Sequence, residues 1–423
     1  MTALNSAIKF NNGGSGSDST SSGVGPASAV SVMVQTSAGS NTATASWTGT
    51  ISAGDLMYIP DSSFTGRKFN VIASVGSGSL TFDNNWDDSS FGTSGYVGGK
   101  RATLDNADSR LLFTDAPSQS TGSGAGWKLD LENTGSNYTI SSNIALRNQI
   151  IIEGLGTSKV VIEQTSNASH FSAALRKYYH RFKNIQFINS NATKTSPAFS
   201  CNDNGPNLIL VDCVVGSDVS ANRVYRGLYK SGLTSVELRA YRTVFKNAVE
   251  NNIRVQSGSL IAYLDSCKIV DAGASGFYRT HNAGSLFMKS CIVANNTNYG
   301  VYYSSSAYGH DCYDTIFYNN GNDGFRTDYL STSARISGCI FAQNNGYGFN
   351  AANTFAVDSP MVQHNAFYGN TSGATNNVTF DSTNVSLQAN PFVDPTASPP
   401  DFNLNNALGG GATLRSTKYT LGG

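Results

Sequence analysis

The second half of the chain repeats one register at a spacing of 24 residues. Cys267, Cys291, Thr315 and Cys339 hold equivalent places in it. Two residues after each stands an apolar side chain: Ile269, Val293, Phe317 or Phe341. Three residues before each stands another: Leu264, Met288, Cys312 or Ile336. Four residues after each comes a polar one: Asp271, Asn295, Asn319 or Gln343. A second register runs through Gly276, Gly300, Gly324 and Gly348, followed by Phe277, Val301, Phe325 and Phe349. A fixed period of this length marks a stacked architecture, in which each unit buries its apolar face only against its neighbours.

The content of one period says what is stacked. Short alternating apolar runs are separated by Asn, Gly and Ser, and no run is long enough for a helix. Three short strands and three corners then make one coil, and successive coils lie about 4.8 Å apart. The sequence therefore predicts an all-β chain built on a parallel β-helix over residues 127–394. Cys213, Thr243, Cys267, Cys291, Thr315, Cys339 and Asn365 should form one column in it. Asn at the corners can take left-handed backbone and hydrogen-bond to the next coil.

The rest of the chain reads differently. Residues 1–28 are a Gly/Ser-rich arm that cannot bury enough surface to order itself, so docking on a neighbouring subunit is expected. Residues 29–103 alternate over Ala29–Gln35, Thr42–Trp47, Asp55–Ile59, Lys68–Val75 and Ser79–Phe82, the pattern of a small barrel or sandwich. A linker over 104–126 follows, and residues 395–423 form a C-terminal cap or tail.

Charge and cysteine usage narrow the function. The chain has 28 basic and 28 acidic side chains, which argues against nucleic acid as the main partner. No apolar run is long enough to span a membrane, and the N-terminus lacks a secretory pattern, so synthesis in a cytoplasm is expected. The six cysteines form no C-x-x-C pair, which speaks against structural zinc. Cys267 and Cys291, in one column, read either as a disulfide between coils or, in preference, as buried thiols. His281, His310 and His364 share no column, so no metal site is expected there. The carboxylates of Asp83–Asp88 lack the Gly and closing Glu of a calcium loop. No cofactor is expected.

Lys183–Asn189, Ser337–Asn345 and Asn365–Asn370, with the closing segments Asn390–Asp394 and Asp401–Leu404, carry a family resemblance. These stretches resemble the pectate-lyase-like right-handed parallel β-helix superfamily, in the form seen in tailed-phage virion proteins. The resemblance implies a right-handed coil and a homotrimer exposed on a virion, as a tail spike, fibre or head decoration. It further implies attachment to other virion proteins through the N-terminal arm, and contact with host-surface polysaccharide. The alternatives it leaves are a polysaccharide depolymerase, hydrolase or lyase, and a bacterial surface adhesin.

The catalytic motifs of that superfamily are not matched. The clustered aspartates and arginine of the pectate lyases are missing, and Asp-Asp occurs only at Asp87–Asp88, outside the helix. Gly309-His310-Asp311 lacks the final Gly of the hydrolase motif. Glycoside hydrolysis needs two facing carboxyls, which leaves Asp311, Asp314 and Asp328 as the candidate set. The reading preferred here is non-catalytic.

Two residues past each register glycine, counting Gly227 and also Asn252, which stands in for Gly, a side chain should point outward. Those positions hold Tyr229, Arg254, Tyr278, Tyr302, Arg326 and Asn350. As a ligand face, the tyrosines would stack on sugar rings and the arginines would pair with carboxylate or phosphate on an acidic glycan. As surface packing, the same residues would simply stack on one another.

Overall fold

Strands of two to eight residues, most with inward apolar and outward polar side chains in alternation, make up nearly all the regular structure among the described residues. The computed structural model describes residues 7–11, 17, 21–59, 69–83, 85, 91–100, 104, 127–146, 150–173, 179–201, 207–281, 284–305, 309–328, 335–352, 361–378 and 382–416. The chain divides into two units, Met1–Gln186 and Phe187–Gly423.

The first unit holds a closed antiparallel barrel and the first parallel coils. The barrel strands are Val30–Thr36, Thr42–Trp47, Leu56–Tyr58, Phe69–Gly76, Ser79–Phe82 and Phe91–Val97. Val32, Val34, Ala43, Ala45, Leu80 and Phe82 point into its core, as alternation at a period of two requires. The last strand, rich in Gly and Ser, has no apolar alternation and is not evident in the sequence. Its Gly95 sits where a Cβ would lie 2.3 Å from Met57 Cε and 2.8 Å from the Tyr58 carbonyl, so close strand approach explains the glycine.

After the barrel, Trp127–Leu131, Ile150–Gly154 and Tyr179–Lys183 pair in parallel as successive coils. The N-terminal arm takes part. Ala7–Phe10 adds a parallel strand to the outer edge of Trp127–Leu131, Ala7 opposite Lys128 and Phe10 opposite Leu131. Further along, Ser22 N–H donates to the Gly98 carbonyl at 2.8 Å. The described parts of the arm are thus held by their own chain, and the strand edge that would otherwise lie open is covered. The acidic loop, at Asn84 and residues 86–90, and most of the linker lie outside the described residues.

The second unit is a parallel β-helix whose coils each give one strand to each of three sheets. The first sheet runs from Asn207–Val211 through Ser235–Tyr241, Ser259–Asp265, Leu286–Lys289, His310–Tyr313 and Arg335–Ser337 to Met361–Gln363. The second runs from Phe199–Cys201 through Leu228–Lys230, Ile253–Val255, Phe277–Arg279, Val301–Tyr303, Phe325–Thr327 and Tyr347–Ala351 to Gly373–Asn376. The third includes Lys268–Val270, Ile292–Ala294, Ile316–Tyr318, Ile340–Ala342 and Ala366–Tyr368. Every neighbouring pair joins residues of consecutive coils, as with Leu264↔Met288↔Cys312↔Ile336.

Two sets of corners explain the periodic polar residues. Asp271, Asn295, Asn319 and Gln343 take left-handed backbone with φ between 49° and 56°. At the opposite corner Ser266, Ser290 and Asp314 do the same, just before the Cys/Thr column. In that column Cys291 N–H donates to Thr315 Oγ1 at 3.4 Å, and Cys339 N–H to Asn365 Oδ1 at 2.9 Å. All six cysteines are buried, and none is joined in a disulfide.

A buried asparagine ladder stands one residue beyond the first corner. Asn296, Asn320 and Asn344 are at most 1% exposed. Asn296 Nδ2 donates to Asn320 Oδ1 at 2.9 Å, Asn320 Nδ2 to Asn344 Oδ1 at 2.8 Å, and Asn344 Nδ2 to Asn370 Oδ1 at 2.8 Å. Each Nδ2 also donates to a strand carbonyl, Ile269, Val293 or Phe317. The close approach of the next coil accounts for the register glycines, first through its backbone and then, at Gly276, Gly300 and Gly324, through the ladder. A Cβ on Gly300 would fall 2.4 Å from the Gly324 carbonyl and 3.0 Å from Asn320 Nδ2.

Inside the third sheet Phe317, Phe341 and Phe367 stack at 4.7 Å and 5.1 Å between centroids. Its outward residues Ile316, Tyr318, Ile340, Ala342 and Ala366 are buried too. Leu387, Phe392, Phe402, Leu404 and the short helix Gly411–Ser416, through Leu414, pack on them. The C-terminal segment therefore folds back along the side of the coils, over the outer face of this sheet.

Candidate ligand-contact face

The second sheet sets out its outward residues in a column. Its strands from Phe199–Cys201 to Phe325–Thr327 are three residues long, with the outer two side chains inward and the middle one outward. Strand register places Tyr229 beside Arg254, Arg254 beside Tyr278, Tyr278 beside Tyr302, Tyr302 beside Arg326 and Arg326 beside Asn350. All six residues expected from the sequence share this column. Asn376 extends it, donating to Asn350 Oδ1 at 3.1 Å.

The rings face along the column. Tyr278 and Tyr302 stack with centroids 5.2 Å apart and planes 21° from parallel. Tyr299, from the preceding corner, closes on Tyr302 at 4.6 Å. Arg254 Cζ lies 5.6 Å from the Tyr278 centroid, and Arg326 Cζ 5.3 Å from that of Tyr302. At the other end Arg226 Cζ lies 4.6 Å from the Tyr229 centroid. Ring faces are thus occupied by other rings and by guanidiniums, in the arrangement that favours cation–π attraction. Ring edges and hydroxyls are what the column turns outward.

Carboxylates hold the arginines. Glu250 pairs with both Arg226 and Arg254. Arg326 Nε donates to Asp328 Oδ1 at 3.0 Å, and the Tyr302 hydroxyl donates to Asp328 Oδ2 at 2.8 Å. The Tyr229 hydroxyl donates to Gln256 Oε1 at 2.5 Å. Burial, then the Asp328 carboxylate, raises the Tyr302 pKa, so its hydroxyl keeps its proton. Burial works to lower the Arg326 pKa, but the bond and charge of Asp328 together with Tyr299 and Tyr302 outweigh it, and the net shift is upward. Asn350 Nδ2 donates to Asp323 Oδ2 at 2.7 Å.

The three candidate acids are placed apart. Asp311 is an outward residue of the first sheet, beside Phe287 and Arg335. Asp314 stands in the corner after that strand, with φ of 50°. Burial raises the pKa of both. Asp328 follows a strand of the second sheet and belongs to the Tyr/Arg column. His310 points inward, its ring 4.0 Å from that of Tyr303, and His364 sits at a corner with φ of 56°. Among the described residues no group of three or more His, Cys, Asp or Glu side chains is placed to hold a metal ion.

Sequence reasoning missed Glu250, Gln256 and the part played by Asp328. Glu250 lies four residues before Arg254 across a corner, and Asp328 two residues after Arg326, so neither falls in the register of the column. The signal available was their spacing from the arginines.

Residues 234–392 match the family described as right handed beta helix region, and these coils are a right-handed parallel β-helix. No curated protein matches the chain. Among solved structures, the periplasmic alginate epimerase AlgG is 12% identical with a TM-score of 0.32, over 62% of this chain and 75% of that one. The catalytic unit of a GH87 α-1,3-glucanase from Streptomyces thermodiastaticus is 12% identical with a TM-score of 0.32, over 86% of each chain. The tailspike protein of Pseudomonas phage LKA1 is 15% identical with a TM-score of 0.21, over 86% of this chain and 66% of that one. These similarities concern the fold alone.

Proposed function

We propose that this chain is a non-catalytic structural protein of a phage virion, exposed on the particle as a tail spike, fibre or head decoration. It contacts host-surface glycan through the column from Tyr229 to Asn350. The observation that carries the reading is the column itself: five half-buried outward side chains, Tyr229 to Arg326, in strand register and fixed in place by stacking and by Glu250 and Asp328, with buried Asn350 at its end. A surface whose rotamers are already fixed loses little entropy when it binds an extended polymer. The separation of Asp328 from Asp311 and Asp314, on a different sheet, favours binding over cleavage, since hydrolysis needs carboxyls that face one another across the bond. Assembly as a homotrimer, with the N-terminal arm meeting other virion proteins, completes the proposal.

The test is incubation of the protein with bacterial cells and with capsular or lipopolysaccharide glycan purified from them. The reading expects co-sedimentation with cells and no release of reducing ends or unsaturated products. Cleavage products would replace it with a depolymerase, and the absence of binding to any strain would remove glycan contact.

A further inference from the structure

We infer that the column selects a neutral, hydroxyl-rich polysaccharide over an acidic one, an inference that rests on the glycan-contact reading above. Three arginines lie on or beside the column, Arg226, Arg254 and Arg326, and each is already paired. Glu250 holds the first two, and Asp328 holds the third. Asp323 lies buried beneath the end of the column, accepting from Asn350 Nδ2 and from the Tyr347 N–H at 2.7 Å each. Each guanidinium of this face is thus held by a carboxylate, and the face offers an incoming uronate or phosphate no unpaired arginine.

To pair with an acidic sugar, a guanidinium here would have to trade part of its hold on its own carboxylate for the ligand, and bring the two anions close together. The exchange gains little and adds like-charge repulsion. Nor are the faces of the central rings open for stacking, since Tyr278 and Tyr302 are covered by each other, by Tyr299 and by guanidiniums. What remains is a row of polar edges: tyrosine hydroxyls, the outer N–H groups of arginine, carboxylate oxygens and the amides of Gln256 and Asn376. Such a row matches sugar hydroxyls, which both donate and accept. Paired carboxylates serve this purpose well, because charge-assisted hydrogen bonds to hydroxyls are short and strong.

The test is a glycan array carrying neutral polysaccharides beside uronate-, sialate- and phosphate-bearing ones, probed with the full chain at low and at high sodium chloride. The inference expects binding confined to neutral glycans and little changed by salt. Binding confined to acidic glycans and weakened by salt would overturn it while leaving the glycan reading intact. A folded protein that binds nothing on the array would remove both.

Glu250→Gln supplies a second arm. It frees Arg226 and Arg254 from their counter-charge, and should bring salt-sensitive binding to uronate-bearing glycans at least about tenfold above wild type, the scale of one charge-assisted contact. Asp328→Asn does the same for Arg326, and stands in if the first variant fails to fold. A well-folded variant with no gain for acidic glycans would overturn the claim that paired arginines set the selectivity.

Discussion

Asn320 donates from Nδ2 to Oδ1 of Asn344 at 2.8 Å, one coil further on, and both side chains are sealed from solvent. Asn320 in turn accepts at Oδ1 from both the backbone N–H and Nδ2 of Asn296. Each amide of the ladder therefore satisfies both ends, and aligned amide dipoles reinforce one another. Replacing Asn320 with Leu keeps the volume but strands two buried donors on Asn296. The expected loss is about 2–4 kcal/mol, read from denaturant unfolding. Its neighbour Asn319, exposed at the corner with φ of 49°, should tolerate Gly within about 0.5 kcal/mol. Equal effects at the two positions would show that the ladder does not hold the coils.

Gly300 makes a second prediction, about the approach of successive coils. Its replacement by Ala drives a methyl group toward the Gly324 carbonyl, 2.4 Å away, and should cost about 1–3 kcal/mol. On the barrel, a Cβ at Gly92 meets nothing nearer than 3.9 Å, so Gly92→Ala should stay within about 1 kcal/mol of wild type. Thermal unfolding of the two variants side by side makes the comparison.

His310 and His180 are buried as neutral imidazoles. Burial pushes their pKa values down to about 3 and about 4, from 6.5 when exposed. The unfolded chain therefore binds more protons than the folded one below about pH 6.5. The stability this provides is complete above that pH and falls as the pH drops toward 3. His310→Leu should make the fall shallower by up to about 1.4 kcal/mol per pH unit, the weight of one proton. Unfolding curves at several pH values between about 6 and 4 provide the measurement, and parallel slopes would contradict the assignment.

Removing residues 1–11 takes away the strand Ala7–Phe10 and opens the outer edge of Trp127–Leu131. Amide hydrogen exchange at residues 127–131 should quicken, while that of the second unit, at Ile253–Val255 for instance, should stay as it was. Unchanged protection at 127–131 would mean that the pairing does not persist in solution. An uncovered parallel edge should also make the truncated protein more prone to associate.

The stacked coils were legible because inward residues recur at a fixed interval, and a two-residue alternation fixes which face each side chain takes. Cys267 and Cys291 could be set on neighbouring coils on that ground alone, and Tyr229 to Asn350 on one outward column. The ladder of Asn296, Asn320 and Asn344 was hidden because polar residues beside a corner look solvated until strand geometry turns them inward. The sixth barrel strand was hidden because Gly92, Ser94 and Gly95 carry no apolar period. The return of Phe392, Phe402 and Leu414 onto the third sheet depends on chain direction after the last coil, which local pattern does not encode. In the column, position was legible but charge state was not, since Glu250 and Asp328 reach the arginines from corners.

The most direct test of the proposed function is binding of a Tyr278→Ser, Tyr302→Ser double variant to bacterial cells that the wild-type protein sediments with. The two rings lie on an outer face and touch Tyr299, Arg254, Arg326 and Asp328 as well as each other, so the variant should fold at a cost of about 1–3 kcal/mol. The account predicts that the folded variant no longer sediments with those cells. Full retention of binding would contradict it and leave the column as packing on the outside of the coils.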